Sequence, residues 1–231
     1  MPEPARLERA GQRAPGGEAR VDPPAAAGGA PRPRELAPRP AGLSGAVKRA
    51  GDLLISIVLL AALAPLFAII AIAIRLESPG PVLFRQRRSG RGAREFVILK
   101  FRTMKIGTPH LASHLVGPGS GHVTRVGGVL RRLSIDELPQ LWNVIRGEMA
   151  LVGPRPALFN QHDLIALRQA AGVDALRPGV TGWAQVNGRD DISLGEKVRL
   201  DRYYLEHAGW RLDLRILLRT TATLFSSRGV F

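Results

Sequence analysis

The longest apolar run of the chain covers residues 53–74, LLISIVLLAALAPLFAIIAIAI, and contains no charged residue. A helix of this length is long enough to reach across a bilayer, at about 1.5 Å per residue. Basic residues flank it on both sides, with Lys48 and Arg49 before it and Arg75 after it, and basic flanks favour the cytoplasmic side. Pro65 removes a backbone hydrogen bond near the middle and predicts a kink. We therefore predict a re-entrant, membrane-inserted helix over residues 44–75, with a straight crossing as the alternative.

Shorter apolar patterns follow along the rest of the chain. Residues 95–104, EFVILKFRTM, are rich in β-branched and aromatic side chains and predict a strand. Apolar positions three and four residues apart predict helices over 124–133, 136–147 and 157–171. Ser193 and Glu196 form an S-x-x-E box that opens a helix to about residue 207, and Asp213 is placed to cap a last helix. Few strands and many helices predict a mainly helical α/β domain over residues 76–231.

The first 43 residues have a different composition from the rest. They contain nine of the 18 prolines, seven basic and five acidic residues, and few large apolar ones. Such a segment buries too little apolar surface to offset the entropy lost on ordering it. We predict a disordered tail rich in Pro, Gly and Arg over residues 1–43.

Charge and cysteine content narrow the range of functions. The formal net charge is +14, of which the tail carries +2, so the remainder implies an anionic partner such as lipid headgroups, nucleic acid or a phosphorylated substrate. The absence of cysteine excludes disulfides, thiolate zinc sites and a cysteine nucleophile. Aromatic residues make up only 5% of the chain, and no helix-turn-helix or RNA-recognition signature is present, which disfavours a nucleic-acid binder. A membrane-anchored basic adaptor that binds anionic lipid without catalysis stays open.

Two adjacent carboxylates, Asp136 and Glu137, stand at the start of a predicted helix in the stretch SIDELPQLWNVIRGEM. Ser134 and Glu137 match the S-x-x-E capping box. Alternatively, Asp136 is the N-cap and Pro139 takes the third helical position, where its missing N–H costs nothing. The same pair is also a candidate for catalysis, and the local pattern leaves capping and catalysis open.

Three further features suit phosphate or nucleotide binding. Lys100 and Arg102 share one face of the predicted strand, although an exposed basic edge would have the same pattern. Arg155 lies between two prolines in LVGPRP, either as a rigidly displayed phosphate ligand or within a plain turn. The stretch GWAQVNGR places Gln185 and Arg189 beside an indole, a set that suits a nucleobase and its phosphate, or a loop packed on the core.

From Lys48 to Thr220 the chain resembles the bacterial sugar transferases, also called polyprenyl-phosphate or monotopic phosphoglycosyl transferases. The matching stretches are KRAGD, FRQRRSGRGAREFVILKFRTM, TRVGGVLRRLSIDELPQLWNVIRGEMALVGPRP, RPGVTGWAQVNGR and KVRLDRYYLEHAGWRLDLRILLRT. Two places depart from the family pattern. Ala64-Pro65 stands where Ser-Pro is common, and Leu194-Gly195 stands where a tryptophan is frequent.

The resemblance implies a catalytic Asp136–Glu137 dyad, Mg²⁺ held by Glu137 and Asp136, and a catalytic domain on the cytoplasmic face of the bacterial inner membrane. It also implies transfer of a sugar 1-phosphate from a UDP-sugar to undecaprenyl phosphate, with release of UMP and an aspartyl-phosphosugar intermediate. Such a step initiates the assembly of an exopolysaccharide, capsule, O-antigen or glycoprotein glycan. The predicted partners are the donor, the acceptor and membrane lipid rather than nucleic acid, and a homo-oligomer is left open. We assign substrate binding to Lys100, Arg102, Arg131, Arg155, Gln185, Arg189, Asp201 and Asp213.

Overall fold

The computed structural model describes residues 43–108, 122–188 and 192–225. The tail predicted over residues 1–43 therefore lies outside the described residues, apart from its last position. Arg189, which was assigned to substrate binding, lies outside them as well.

The longest element, α1 (Leu43–Glu77), is a single helix of 35 residues that continues through Pro65. It begins one residue before the predicted segment and ends two residues after it. Within the described residues it is the one helix long and apolar enough to cross a membrane, and only 11% of its most apolar window is buried inside the protein. A long apolar helix with so little of its surface covered by protein indicates association with a membrane.

The two faces of α1 have different surroundings. Leu54 and Ile69, on the outer face, each expose 65% of their surface. The opposite face packs on the globular domain through side chains three, four or seven residues apart, namely Asp52, Ser56, Leu60, Phe67, Ile70 and Ile74. This spacing keeps one stripe of a helix against its partner along its whole length. The protein thus covers one side of α1 and leaves the other apolar side open.

Both ends of α1 are fastened to the same globular domain. Near its start, Lys48 Nζ lies 2.7 Å from Asp213 Oδ2. At its end, the Glu77 carboxylate accepts hydrogen bonds from the backbone N–H groups of Arg125 and Val126, at 2.6 and 2.9 Å. These N–H groups belong to the first turn of a helix, where a carboxylate is favoured. The helix therefore runs along the domain and does not extend away from it.

An antiparallel hairpin lies beside α1. It pairs β1 (Leu83–Ser89) with β2 (Glu95–Phe101), with Leu83 opposite Phe101 and Ser89 opposite Glu95. The predicted strand over 95–104 is confirmed, although it ends three residues earlier. The edge of β2 away from β1 is covered by the buried side chain of Asn143, whose Oδ1 accepts from Leu99 N at 3.0 Å and whose Nδ2 donates to Val97 O at 2.7 Å. One amide side chain thus satisfies the main chain where a third strand would lie.

A second, parallel sheet is formed by β3 (Ala150–Val152) and β4 (Gly179–Thr181). The connection between them includes α4 (His162–Ala170), as parallel strands require a crossover. Gly179 packs so closely on the residue after β3 that a Cβ there would collide with the Gly153 backbone. A larger residue would push the two strands apart.

The remaining helices surround these sheets. They are α2 (Arg125–Arg132), α3 (Gln140–Arg146), α5 (Trp183–Asn187), α6 (Leu194–His207) and α7 (Trp210–Phe225). The largest core cluster joins both sheets to α3, α6 and α7 through Ile98, Leu141, Val144, Met149, Leu151, Val152, Tyr204 and Ile216. Helices dominate the described part of the chain, so the predicted mainly helical α/β class is confirmed.

Of the predicted helix caps, Ser134, Asp136 and Asp213 are wrong and Ser193 is confirmed. Ser134 has a left-handed backbone, with φ 53°, and its side chain makes no capping hydrogen bond. Asp136 is not an N-cap either, because α3 begins at Gln140, directly after Pro139. The Ser193 hydroxyl does cap α6, accepting from Glu196 N at 3.2 Å. Since neither expected cap forms before α3, the Asp136 side chain is available for another purpose.

Two boundaries near the end of the chain also differ from the prediction. α7 begins at Trp210, so Asp213 lies inside its first turn and is not its cap. The glycines of residues 177–189 predict a loop with a short extended core, but this stretch contains β4 and also the short helix α5. The glycines on either side of α5 concealed it, because glycine usually indicates a turn.

Candidate active site

The centre of the site is a 3₁₀ turn, Ile135–Glu137, that joins α2 to α3. The left-handed Ser134 turns the chain sharply, and Asp136, only 9% exposed, faces into the protein. Burial is the largest effect on the pKa of Asp136, which is raised to about 6. The charge of Lys100 acts to lower this pKa, and the charge of the neighbouring Glu137 acts to raise it. Two more cations, Arg131 and Arg155, act to lower it. These groups influence the Asp136 carboxylate through their charge and not through a hydrogen bond.

Glu137, in contrast, is held directly by two cations. Its Oε1 lies 2.6 Å from Lys100 Nζ and 3.1 Å from Arg155 Nη2, while its Oε2 accepts only a long 3.5 Å bond from Arg155 Nη1. Burial alone would raise the pKa of Glu137, but Arg155 and Lys100 hold it well below its usual range. Glu137 is therefore ionised throughout the physiological range. It also fixes both cations beside Asp136.

Arg131 reaches the site from the last turn of α2. Its Nε donates to Thr103 Oγ1 at 2.9 Å, just beyond the end of β2. Close packing permits this bond, because a Cβ on Gly127 would collide with the Thr103 backbone. Burial lowers the pKa of Arg131 and the charge of Asp136 opposes that effect. No sequence pattern marks Thr103 as part of the site, because it lies near the end of the predicted strand among residues without a functional pattern.

The other residues assigned to substrate binding have structural partners. Arg102 is buried and donates to Ser78 O at 2.7 Å and Pro79 O at 2.6 Å, just beyond the C-terminus of α1. The structure thus places the Arg102 guanidinium at these carbonyl groups, and its assignment to substrate binding stays a prediction. The strand ends at Phe101, and the guanidinium turns to backbone carbonyls that need a donor.

Asp201 and Asp213 also lie in polar networks of the fold. Asp201 is 2% exposed and its Oδ2 lies 2.6 Å from Arg168 Nη2. Asp213 bonds Lys48 in α1 and accepts from the Tyr204 hydroxyl at 2.7 Å. Both carboxylates therefore hold helices together, and their assignment to substrate binding stays a prediction. No sequence pattern marked Arg168, which lies on a helix predicted only from its apolar residues.

Gln185 lies on α5, where its Nε2 donates to Val180 O at 3.2 Å. Its Oε1 is buried and has no hydrogen-bond donor among the described residues. The structure therefore brings together Asp136, Glu137, Lys100, Arg131 and Arg155. Gln185 instead bonds the backbone of β4.

The carboxylates of the site suit a hard cation only in part. Asp136 and Glu137 are adjacent oxygen donors, the kind that Mg²⁺ prefers. Within the residues that the structure describes, no group of three or more His, Cys, Asp or Glu side chains could hold a metal. Since Mg²⁺ commonly binds through one or two carboxylates with water and substrate phosphates, the pair fits an ion that arrives with a diphosphate.

Comparison with known proteins identifies the family. The chain matches the family model described as bacterial sugar transferase over residues 43–227. The chain belongs to the bacterial sugar transferase family. The predicted family is confirmed, and with it the prediction that the protein is a transferase.

Several curated proteins are similar over the same region. An undecaprenyl-phosphate glucose phosphotransferase of Komagataeibacter xylinus is 43% identical over 80% of this chain, which spans only 37% of that protein. The uncharacterized sugar transferase EpsL of Bacillus subtilis is 39% identical over 80% of this chain and 90% of its own length. A UDP-glucose:undecaprenyl-phosphate glucose-1-phosphate transferase of Caulobacter vibrioides is 42% identical over 80% of this chain and 72% of its own length. The chain thus spans well under half of the Komagataeibacter protein and most of EpsL.

Proposed function

We propose that this sugar transferase moves a sugar 1-phosphate from a UDP-sugar to undecaprenyl phosphate and releases UMP. The observation that carries the proposal is the arrangement around Asp136. Its carboxylate is nearly buried, faces the cations Lys100, Arg131 and Arg155, and is influenced by them through charge alone. Such a carboxylate keeps its lone pairs for a reacting phosphorus atom, and the surrounding cations attract the anionic donor.

In the first step, an Asp136 oxygen attacks the phosphorus atom that carries the sugar. The bond from that phosphorus to the bridging oxygen breaks, and UMP departs with the electron pair. The product on the enzyme is an aspartyl phosphosugar. Arg131 and Arg155 stabilise the charge that spreads over the oxygens of the transferring phosphoryl group. Because a covalent intermediate divides one displacement into two, each of the two steps has a lower barrier.

In the second step, a phosphate oxygen of undecaprenyl phosphate attacks the same phosphorus atom. The bond between that phosphorus and Asp136 breaks, which regenerates the carboxylate and leaves the sugar on a lipid diphosphate. The exposed apolar face of α1 supports a membrane-borne acceptor, because it keeps the domain at the lipid surface. The lipid then needs no route through water.

Asp136 and Glu137 would hold Mg²⁺ together with the diphosphate of the donor. Bound there, Mg²⁺ would neutralise negative charge on the diphosphate and on the departing UMP. Glu137 Oε2 suits this role, since Lys100 and the shorter Arg155 contact both lie on Oε1. Lys100 and Arg155 keep Glu137 ionised, as a metal ligand must be.

A re-entrant α1 on the cytoplasmic face is part of the proposal. Its support is that Lys48, near one end, and Glu77, at the other, contact the same globular domain. A bilayer between the two ends would have to separate these contacts. Lys48, Arg49 and Arg75 at the two ends favour the cytoplasmic side.

The relatives suggest which donors and pathway to consider first. The Caulobacter vibrioides relative is named for UDP-glucose, and one from Aeromonas hydrophila is named for UDP-N-acetylgalactosamine. A relative of Rhizobium meliloti, 37% identical, is named an exopolysaccharide production protein. We infer a UDP-hexose or UDP-N-acetylhexosamine donor and a role at the start of exopolysaccharide assembly.

The test is release of UMP by the purified protein in lipid nanodiscs that contain undecaprenyl phosphate, across a panel of UDP-sugars. We expect one donor to give UMP in proportion to lipid-linked sugar. Without the acceptor, mass spectrometry should find at most one phosphosugar per chain, on the peptide that contains Asp136. A basic adaptor or a nucleic-acid binder would release no UMP from any donor. UMP release without a modified Asp136 peptide would contradict the covalent route alone.

A further inference from the structure

The segment that carries Arg155 is held almost entirely by its carbonyl groups. Pro154 and Pro156 cannot donate a hydrogen bond, so the main chain around Arg155 has few N–H groups with which to fasten itself. Its carbonyls are instead approached by donors from other elements. Pro154 O accepts from Gly179 N at 2.9 Å, and Ala157 O accepts from Ser89 N at 3.0 Å. Between them, Arg88 Nη1 donates to Pro156 O at 3.1 Å, and the carbonyl of Arg155 itself is bonded by another side chain.

That side chain is Arg168 of α4. Its Nη1 donates to Arg155 O at 2.8 Å. Its other two nitrogens, Nε and Nη2, donate to Asp201 Oδ2 at 3.0 and 2.6 Å. The side chains of Arg168 and Asp201 are only 10% and 2% exposed. A buried guanidinium with all three nitrogens engaged has one orientation, because any rotation would leave a buried donor or charge unpaired.

The same residue, Arg155, contacts the acid beside the nucleophile through its guanidinium. Arg155 Nη2 lies 3.1 Å from Glu137 Oε1. Arg168 therefore fixes the main chain of Arg155, and the Arg155 side chain then reaches from that fixed point to Glu137. Arg168 itself bonds Asp201 and the backbone and lies behind the Arg155 segment.

We propose that Arg168, held by Asp201, is the positioning residue that sets the Pro-Arg-Pro segment so that Arg155 meets the transferring phosphate. This inference rests on the proposed function, which assigns Arg155 to that phosphate. Arg168 acts through Arg155. Removing Arg168 therefore displaces the Arg155 guanidinium from its place in the site, although Arg155 keeps its charge. A displacement of about 1 Å in such a group can slow the reaction about 100-fold.

Two sets of variants separate positioning from stability. Arg168→Gln removes the ion pair and leaves Asp201 buried without its cation, so that it could lower activity by unfolding the protein. The pair Arg168→Met and Asp201→Leu removes both charges together, which a folded core tolerates better than a single loss. Arg202→Gln is the matched control, because Arg202 pairs with Glu206 on the exposed side of α6.

The first measurement needs no substrate. Hydrogen–deuterium exchange followed by mass spectrometry would compare the peptide that contains residues 153–158 in the wild type, the paired variant and Arg202→Gln. In the paired variant we expect faster exchange at Gly153, whose N–H donates to Thr181 O at 2.9 Å, and at Leu158, whose N–H donates to Gln161 Oε1 at 2.8 Å, with the peptides of α3 and β2 unchanged. Equal exchange in this segment for the wild type and the paired variant would overturn the proposal.

The second measurement is a double-mutant cycle on UMP release. We expect the folded paired variant to lose about 10- to 100-fold in kcat with a smaller change in KM for the UDP-sugar, while Arg202→Gln stays near the wild type. Combined with Arg155→Gln, the paired variant should add less than about threefold to the loss caused by Arg155→Gln, because both act through one cation. If the losses in kcat of the paired variant and of Arg155→Gln multiply in full in the combined variant, the proposal is overturned. If the wild type releases no UMP from any donor, the proposed function fails, and the exchange experiment still decides the positioning of Arg155.

Discussion

Lys100 Nζ lies 2.6 Å from Oε1 of Glu137 and makes its hydrogen bond there, not to the adjacent Asp136. Glu137, next to the proposed nucleophile Asp136, thus binds Lys100 directly, and Lys100 acts on Asp136 only through its charge. Of two adjacent carboxylates, one is kept far below its usual pKa and the other is raised to about 6. Opposite shifts in neighbouring acids are typical of pairs with separate chemical roles.

Asp136→Asn should abolish UMP release while the protein still folds and enters membranes. The amide keeps the size of the carboxyl and removes the attacking charge. Turnover and circular dichroism in nanodiscs would be measured side by side. Asp163→Asn, at an exposed position in the first turn of α4, is the control and should keep full activity. Substantial turnover by a well-folded Asp136→Asn protein would rule out Asp136 as the nucleophile.

The same substitution should stabilise the fold above about pH 6. Burial raises the pKa of Asp136 from 3.8 to about 6, so the folded state binds more protons than the unfolded chain between these values, and stability falls as the pH rises through them. Because the amide of Asp136→Asn does not titrate, the stability of this variant does not fall in the same way. We expect it to be more stable than the wild type at pH 7.5 by about 3 kcal/mol, and similar at pH 4. Thermal unfolding at both pH values measures the difference, and a less stable Asn variant at pH 7.5 would contradict it.

Glu137→Gln should have the opposite effect on stability. The pKa of Glu137 is held low by Arg155 and Lys100, so its ionised form stabilises the folded state above its unfolded pKa. The neutral amide leaves both cations without their carboxylate. We expect a lower unfolding temperature at pH 7.5, loss of most UMP release, and only partial recovery in excess Mg²⁺. An unchanged rate with unchanged Mg²⁺ dependence would remove Glu137 from the metal site.

Arg155→Lys should reduce kcat much more than Arg202→Lys. Arg155 reaches Glu137 through two nitrogens, Nη1 and Nη2, and a single ammonium cannot reproduce that planar fork. We expect a loss of about 10-fold or more with saturating UDP-sugar. Steady-state kinetics on both variants is the measurement. Equal rates for the two Lys variants would show that the rigid display of Arg155 serves no catalytic purpose.

Cysteine labelling can test whether α1 re-enters. Since the chain has no cysteine, single cysteines at Gly45 and Pro81 would be the only targets of a membrane-impermeant thiol reagent. Both positions are exposed; Gly80 is unsuitable, since its φ is +111° and a Cβ there would collide with Ile106. We expect neither cysteine to react in intact cells and both to react after lysis. Labelling at position 45 in intact cells would show a crossing helix.

The effect of Pro65 on topology can be measured in the same assay. Pro65→Ala restores a backbone hydrogen bond and should straighten α1. We expect a mixed population in which position 45 becomes partly accessible in intact cells. That fraction should rise when Lys48 and Arg49 are also neutralised, because basic residues oppose export. An inaccessible position 45 in all of these variants would show that Pro65 does not set the topology.

The sequence predicted those elements that depend on interactions between residues close together in the chain. The apolar run gave α1 to within two residues, and the Ser193 cap formed because its hydroxyl needs only the N–H of Glu196. The cap expected at Ser134 failed because the sharp turn from α2 into the 3₁₀ turn places a left-handed residue there. No pattern over a few residues contains that constraint.

The site was predictable where a residue acts within its own segment. Adjacent charges, strand alternation and flanking prolines marked Asp136, Glu137, Lys100 and Arg155 as candidates, and the structure brings these four side chains together. The partners of Arg102 and Asp201, near Ser78 and at Arg168, could not be predicted because they lie far away in sequence. Arg168 was missed for the same reason, since its partners Arg155 and Asp201 come from two other parts of the chain.

The amide of Asn143 at the edge of β2 has a consequence for association between copies of the protein. A two-stranded sheet ordinarily presents unpaired backbone groups on which another chain can add a strand and begin aggregation. Here Leu99 N and Val97 O already have a partner in a side chain that is fully buried. Folded copies that lie close together at a membrane surface therefore cannot add a strand at this edge. Replacing Asn143 with Leu would leave Leu99 N and Val97 O without that partner and should make the purified protein more prone to form intermolecular β-structure.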